Sequence, residues 1–457
     1  MTLPLAHGLS PRTDLPIPLT LFVYGTAVVL VVSFVALAVL WREPILERYR
    51  WRPLPGPVGR LLGSRGVDVI CGVIGVALLG LTVYSGLAGQ QTAASNFAPT
   101  FVYVIFWVGL VAASILFGDV FRSFNPWRAV GRAVAWAALR GGGDGLPPSL
   151  EYPRRLGYWP AAVGLLAFTM LELASATPDD PSTVAIAALA YSVAVFIGMA
   201  LYGVEPWMDR GEAFSVYFGL FAKLSPFETR ERVVGVRPPL AGLTTVKSAA
   251  GLVALAAVMI GTVSFDGLSE QSLWVNVGGE LGDLFDSLGM ASETAFEAAN
   301  AIGVLLLVGI VAGLYMLGVA GMKILDEEHS LRHLARSFAA SLVPIALAYI
   351  AAHYLTLLAF QGQAMVYLAS DPLGEGANLF GTAEVGINYF MGATLIALLQ
   401  VGLVVTGHAA ALAVAHDRAL VMYDDDRGKA VPTQLWMLAV MVVFTICALL
   451  LLLAGNA

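Results

Sequence analysis

The chain has 457 residues, of which 58% are hydrophobic and only 12% are charged, and its mean hydropathy is +0.78. A soluble domain carries roughly 25% charged residues, so the composition excludes an ordinary soluble protein and indicates a polytopic membrane protein. The net charge of −7 is not a binding signature, because its acidic and basic parts are segregated by side, and nothing in the sequence indicates a nucleic-acid partner. Cys71 and Cys447 both lie in apolar runs, so no disulfide framework is expected.

Ten apolar runs are each long enough, at about 20 residues, to cross a bilayer as a helix. They cover 20–41, 67–89, 99–118, 157–176, 183–203, 246–264, 299–322, 338–360, 389–415 and 433–454. The first run lacks a basic leader and an A-x-A cleavage site, so we expect it to be retained. The sequence therefore predicts a single all-α integral membrane domain over 1–457, a helical bundle of about ten spans in the cell membrane.

Lysine and arginine residues occur almost entirely in alternate links, and only Arg12 falls on the opposite side. Because basic links stay inside, this pattern predicts an even number of spans with both termini outside. The outer side is acidic, mainly in an amphipathic link, 265–298, and a loop, 361–388. These acids fit plain solvation, and the alternative is an outer vestibule that concentrates cations.

Two inner segments are too apolar to be plain loops. After Asn125-Pro126, apolar residues recur at helical spacing up to Arg140, which predicts an amphipathic helix on an inner leaflet of anionic lipids. The run 214–224 is apolar but only 11 residues long, so it is predicted to be interfacial or re-entrant. The alternative for both is a helix that merely packs under the bundle. The amphipathic inner helices could also serve as a docking platform for other membrane subunits.

Ionisable and polar residues inside apolar spans are functional candidates, because they are expensive to place in lipid. Counted from the basic inner edges, Glu172, His353 and Gln400 each lie about 25–27 Å up their helices. They are predicted to share an outer layer, with the Glu172 carboxylate orienting the His353 imidazole. The alternatives are an interfacial Glu172 that reaches outer water and an ordinary core histidine.

Two further histidines belong to the inner half of the bundle. His408 lies about 15 Å above its inner edge and His416 lies at that edge, so both could face one groove. His408 is about 10 Å below His353, which argues against a metal or haem held jointly by these two. On the outer side the loop over this layer supplies four candidates, which are Gln361, Gln363, Asp371 and Glu384, and we expect the loop to act as a lid.

A cluster on the inner face has the composition of a metal site. Asp326, His329 and His333 belong to a DEEHxxxH segment, and two histidines four residues apart on a helix can bind zinc. The alternative is a solvated helix. No other cofactor is indicated, so a divalent metal is the one candidate. GxSxG and Walker A motifs are absent, which gives no support to a nucleophilic hydrolase or a nucleotide-driven pump.

Five stretches resemble a family of bacterial and archaeal polytopic membrane proteins that carries the name fenitrothion hydrolase. They are FNPWRAVGRA (124–133), DRGEAFSVYFGLFAKLSPF (209–227), SFAASLVPIALAYIAAHYLTLLAFQGQ (337–363), ASDPLGEGANLFGT (369–382) and GHAAALAVAHDRAL (407–420). The resemblance implies hydrolysis of an organophosphate triester with release of a phenol. It implies no particular catalytic residue.

Three functions follow from these patterns. The buried Glu172, His353 and Gln400 predict a site that binds or moves a small solute or ion. The family resemblance predicts a membrane-bound hydrolase of hydrophobic phosphoesters. The amphipathic inner helices fit a non-catalytic subunit of a membrane complex.

Overall fold

A computed structural model describes residues 19–140, 149–424 and 427–454. The charge exception Arg12 lies outside these ranges. The first part of the chain forms α1 (Leu19–Leu40), β1 (Arg52–Pro53), α2 (Val58–Leu62), α3 (Arg65–Ala88), α4 (Phe97–Thr100), a π-helix (Phe101–Gly109), α5 (Leu110–Phe117), α6 (Val120–Phe124) and α7 (Pro126–Arg140).

The middle part forms α8 (Trp159–Ala174), α9 (Pro181–Tyr202), α10 (Val204–Arg210), α11 (Ala213–Ala222), β2 (Phe227–Arg230), β3 (Val233–Val236), a short 3₁₀ helix (Ala241–Thr245), α12 (Leu252–Ser269) and α13 (Ser272–Ser287). The last part forms α14 (Ser292–Leu325), α15 (Leu331–Phe338), α16 (Leu342–His353), α17 (Leu355–Phe360), α18 (Ala364–Ser370), α19 (Ala393–Met422) and α20 (Arg427–Ala454).

Within the described residues, eight helical segments are long and apolar enough to cross a membrane. They are Arg65–Ala88, Phe97–Phe117, Pro181–Tyr202, Leu252–Ser269, Ser292–Leu325, Leu331–His353, Ala393–Met422 and Gly428–Cys447. Shorter apolar helices occupy Tyr24–Leu40, Trp159–Ala174, Ala213–Ala222 and Leu355–Ser370. The prediction of a helical multi-pass membrane protein is confirmed at this level.

A small antiparallel sheet is an addition to the predicted all-α bundle. Its strand order is β1–β3–β2, and Val236 pairs with both Arg52 and Phe227. The turn between β2 and β3 places Glu231 and Arg232 at φ of 47° and 64°. Strands this short carry almost no alternating hydrophobic pattern, so hydrophobicity along the chain does not predict them.

The short helix α11 lies in the core of the bundle. Tyr217, Phe218 and Phe221 on this helix are all 0% exposed, and the helix packs against α5, α8 and α16. A surface helix would leave one face exposed, so α11 is a core helix. Its buried aromatic side chains pack against these neighbouring helices.

Two irregular helices meet beside this core. The predicted span 338–360 is interrupted where α16 ends at His353 and α17 begins at Leu355. The segment 101–109 is a nine-residue π-helix, a form that is rare and is concentrated at functional sites. Because α17 packs against the π-helix, the helix break at Tyr354 and the π-helix lie side by side.

Candidate functional site

The centre of the candidate site is the carboxylate of Asp266 on α12, which is 3% exposed. His353 Nε2 lies 2.9 Å from Asp266 Oδ2, and the Tyr354 hydroxyl donates to the same oxygen at 2.7 Å. Two side chains, from the last residue of α16 and the residue after it, therefore converge on one buried oxygen atom of α12.

The break between α16 and α17 makes this convergence possible. Neighbouring side chains on a continuous α-helix point about 100° apart and cannot both reach one atom easily. Tyr354 has φ −91° and ψ 14°, outside the helical region, and its ring packs edge-on against His353 with centroids 4.7 Å apart. The irregular residue thus turns both side chains toward Asp266.

Glu172 on α8 adds a second acid to this region. It is 5% exposed, and its Oε2 atom is buried with no hydrogen-bond partner. Asp266 is the charged group that acts on it electrostatically, and Glu172 in turn acts on Tyr354 and Tyr217. The Tyr217 hydroxyl is also buried without a partner. Two carboxyl groups and two phenols therefore share one buried region.

Gln400 reaches the same level of the bundle from α19. It is 3% exposed, and its side-chain amide donates to the carbonyl of Ala352 at 3.0 Å. That carbonyl belongs to the residue immediately before His353. The predicted neighbourhood of His353 and Gln400 is therefore present, although Gln400 contacts the backbone of α16 and not the imidazole.

The predicted pairing of His353 with Glu172 needs a correction. Asp266 is the carboxylate that contacts His353, whereas Glu172 Oε2 has no hydrogen-bond partner. By its position Asp266 belongs to the predicted outer link, because the apolar run 246–264 ends two residues before it. Helix α12 instead continues to Ser269 and keeps Asp266 buried. Asp266 contacts the imidazole because α12 is longer than its apolar run, and hydrophobicity alone does not show that extra length.

His408 is completely buried, deeper in the bundle. Its Nδ1 atom lies 2.8 Å from the carbonyl of Val404 one turn earlier, and its Nε2 atom has no hydrogen-bond partner. The Tyr349 ring lies next to it, with centroids 6.2 Å apart. His408 is therefore a buried imidazole with one ring nitrogen left to interact, at the interface of α16 and α19.

His416 and its neighbour Asp417 hold the loop that follows α1. His416 Nε2 lies 3.0 Å from the carbonyl of Trp41. Asp417 accepts from the Trp41 indole and from the backbone N–H groups of Ile45, Leu46 and Glu47, at 2.6–3.1 Å. Four donors on one carboxylate make an anchor for this loop. Asp417 was missed in the sequence because an acid at a helix end usually reads as a solvated group.

The outer-loop candidates mostly organise their own backbone. The Gln363 side chain bridges both the N–H and the carbonyl of Asn388, and Asp371 accepts from the N–H groups of Glu375 and Gly376. Gln361 is partly buried and Glu384 is exposed. These contacts fold the loop upon itself, and its predicted role as a lid stays a prediction.

Asp326, His329 and His333 belong to a compact hydrogen-bonded cluster. Asp326 is 2% exposed and accepts from the His329 ring at 2.9 Å, from the Tyr423 hydroxyl at 2.7 Å and from two backbone N–H groups. Burial acts to raise the pKa of Asp326, but these hydrogen bonds lower it to about 2. The rings of His329 and His333 stack 5.1 Å apart.

The metal hypothesis for Asp326, His329 and His333 gains no support from this geometry. Over the described ranges, no group of three or more His, Cys, Asp or Glu side chains is arranged to hold a metal ion. The Asp326 carboxylate is already occupied by protein donors. The cluster thus behaves as a structural link between α14, α15 and the end of α19.

The structure also contains a large apolar cavity of about 1010 Å³. It is bounded by α3, the π-helix, α8 and α9. Although α8 and α9 follow each other in the chain, α8 packs on α11, α12 and α14, whereas α9 packs on α3, α7 and α10. The two helices therefore diverge, and the space between them forms the cavity.

Glu212 is the acid among the residues that line this cavity. Its carboxylate accepts from the Tyr191 hydroxyl, from the backbone N–H groups of Phe214 and Ser215 at 3.0 and 2.7 Å, and from Asn125 at 3.2 Å. It therefore caps the N-terminus of α11. A carboxylate with this many donors is a structural group, and the cavity is an apolar binding volume.

The site can take up positive charge. Two buried carboxyl groups, an imidazole and two phenols can exchange protons or surround a small cation. Sequence reasoning found Glu172, His353 and Gln400 but missed Asp266, Tyr354 and Tyr217. The Asp266 carboxylate had one usable signal, since it stands only two positions beyond an apolar run.

Comparisons with models of known protein families, with curated proteins and with solved structures gave no match. The resemblance to the fenitrothion hydrolase family therefore remains an expectation that rests on the sequence stretches quoted above.

Proposed function

We propose that the buried cluster of Asp266, His353, Tyr354 and Glu172 binds a small cation, with the proton as its simplest ligand, and moves it through the bundle. The observation that carries this proposal is the convergence of His353 and Tyr354 on one oxygen of Asp266 at a helix break. Broken helices at ion sites are a recurring device in membrane transporters.

Electrostatics supports a cationic ligand. A buried carboxylate is unfavourable unless it is paired, protonated or bound to a cation. Asp266 receives two side-chain donors, whereas Glu172 Oε2 receives none. One imidazole cannot neutralise two carboxylates, so at least one proton or cation completes the charge balance when both acids are buried together.

Polar residues on both sides of the cluster support a route in each direction. On the outer side, Glu270 is exposed one turn after Asp266 and acts electrostatically on His353. On the inner side, α19 carries Gln400 beside α16 and His408 about 12 Å further along. We infer that protons enter from the acidic outer side and pass along the interface of α16 and α19.

The proposal includes the topology predicted from charge, with ten spans and both termini outside in a cell membrane. Together with the eight long segments, the shorter apolar helices α1 and α8 would make up the ten spans. Helix α7 would lie on the anionic inner leaflet, because Val134, Trp136 and Leu139 on it are more than half exposed while Arg140 covers the Trp136 ring at 4.5 Å.

The test is proton flux into proteoliposomes that enclose a pH-sensitive dye, driven by an imposed pH gradient and a potassium potential. We expect Asp266→Asn and His353→Gln to reduce the flux at least tenfold. The matched control is Asp283→Asn, since Asp283 is an exposed acid on α13. Equal flux in the wild type, in both site variants and in empty liposomes would remove the proton role, and a sodium or potassium flux assay with the same variants would decide the cation alternative.

Hydrolysis of a hydrophobic organophosphate is a second candidate, and the apolar cavity is the observation that favours it. A volume of about 1010 Å³ with an almost wholly apolar lining suits a hydrophobic triester that partitions into lipid. The test is release of the phenol from fenitrothion by the purified chain in lipid. Turnover that disappears in a cavity-filling variant, Ala187→Phe, would support it, and no release above that of empty liposomes would remove it.

A further inference from the structure

A second polar pocket lies at the inner ends of the helices that carry the candidate site. It has a volume of about 50 Å³ and lies between the 3₁₀ helix Ala241–Thr245, the junction of α15 with α16, and the last part of α19. Its polar lining includes Arg336, Ser337, Ser341, Arg418 and Glu47. This pocket is separate from the Asp266 cluster, since none of its lining residues belongs to that cluster.

Several donors in this pocket have no acceptor. The Ser337 hydroxyl and the Arg418 Nε atom are buried without hydrogen-bond partners, and Ser337 is 7% exposed. Among the described residues, the Arg336 guanidinium forms no ion pair. Buried donors are normally satisfied, so two of them beside a partly buried guanidinium without an ion pair indicate a ligand that accepts hydrogen bonds.

The neighbouring hydroxyls are already used and help to fix the walls. Ser341 donates to the carbonyl of Phe338 at 2.7 Å, and Thr244 donates to the carbonyl of Ala241 at 2.8 Å. The free donors therefore come from Arg336, Ser337 and Arg418, which lie on the two chain segments that meet at this pocket. Their positions are set by secondary structure and not by contacts with each other.

The charge of the lining favours an anion. Arg418 Nη1 pairs with Glu47 at 2.9 Å, which neutralises one guanidinium and leaves the charge of Arg336 in excess. Guanidinium groups bind phosphate oxygens strongly through parallel hydrogen bonds. One water needs about 10–15 Å³ of such volume, so the pocket has room for a group of several heavy atoms, the size of a tetrahedral oxyanion.

We propose that this pocket binds a phosphate group through Arg336, Ser337 and Arg418. The phosphate could belong to free inorganic phosphate or to the headgroup of an anionic lipid at the inner surface, because both present the same oxygens. The bound group would join α15, which leads into α16, to the last part of α19, and α16 and α19 carry His353 and Gln400. It would thus stabilise their inner ends against each other.

The test measures thermal unfolding of the purified full-length chain. In detergent, inorganic phosphate is titrated against sodium chloride at equal ionic strength. In a second arm, nanodiscs of phosphatidylcholine are compared with nanodiscs that contain phosphatidylglycerol. The variants are Arg336→Gln and Ser337→Ala, and the matched control is Arg332→Gln, which removes an exposed arginine on the same helix outside the pocket.

We expect the wild type and Arg332→Gln to gain several degrees in unfolding temperature with a saturable dependence on the anion. Arg336→Gln should need at least tenfold more phosphate for the same gain, and Ser337→Ala should be intermediate. A gain with inorganic phosphate identifies a free oxyanion as ligand, and a gain only with phosphatidylglycerol identifies a lipid headgroup. A gain that is absent in both arms, or equal in Arg332→Gln and Arg336→Gln, would overturn the proposal.

Discussion

His353 Nε2 lies 2.9 Å from Asp266 Oδ2, although the two residues are 87 positions apart in the chain. The contact joins the end of α16 to the end of α12, and both side chains are buried. A carboxylate that receives an imidazole inside the bundle fixes the orientation of the ring.

The first prediction concerns the second donor to Asp266. Replacing Tyr354 by Phe removes the hydroxyl that donates at 2.7 Å and leaves the His353 contact in place. We expect the free energy of unfolding to fall by about 1.5–3 kcal/mol, the range for a hydrogen bond to a charged group. The measurement is denaturant unfolding in mixed micelles, with Tyr84→Phe as control because Tyr84 is 58% exposed. Equal stability of the two variants would contradict the assigned hydrogen bond.

The second prediction concerns the anchor at Asp417. Asp417→Asn keeps the size of the side chain but loses the negative charge and one acceptor oxygen. Because four donors converge on this carboxylate, we expect a loss of about 2–3 kcal/mol in stability. Proteolysis should then cut the loop after α1 faster in the variant than in the wild type. Unchanged proteolysis of the segment 41–50 would show that Asp417 does not hold it.

The third prediction is a pH dependence that comes from Asp326. The pKa of this group is lowered to about 2 in the folded protein, below the ordinary value of about 3.9. The charged form is therefore favoured by folding, and its contribution is fully present above about pH 4. It disappears as the pH falls through the folded value, and it amounts to about 2.5 kcal/mol at most.

This dependence can be isolated with Asp326→Asn. At pH 6 the wild type should be the more stable, and the difference in unfolding free energy should shrink as the pH approaches 2. The matched control is Asp283→Asn, which changes an exposed acid. A wild-type advantage that stays constant from pH 6 to pH 2 would mean that hydrogen bonding to the charged carboxylate is not its source.

The fourth prediction concerns the apolar cavity. Ala187 on α9 lines it, and Ala187→Phe fills part of its volume of about 1010 Å³. We expect binding of a hydrophobic fluorescent probe to weaken at least fivefold. Val193→Phe adds a similar ring to the exposed face of the same helix, where Val193 is 56% exposed, and should leave binding unchanged. A probe that binds both variants equally would locate its site elsewhere.

The sequence by itself determined the class of the protein and the level of several side chains. Runs of apolar residues needed only their length to predict membrane helices, because the bilayer sets that length. The depth count placed His353 and Gln400 at one level, and the structure brings Gln400 to the backbone beside His353. These features depend on distance along one helix, which follows directly from the number of residues in the sequence.

The tertiary structure decided which side chains meet. Asp266 became the partner of His353 because α12 extends beyond its apolar run and because the break at Tyr354 redirects two side chains. The anchor at Asp417 and the cavity between α8 and α9 likewise depend on how distant helices pack. Rotation about a helix axis and the choice of packing neighbours are set by contacts between segments, and hydrophobicity along a single segment does not encode them.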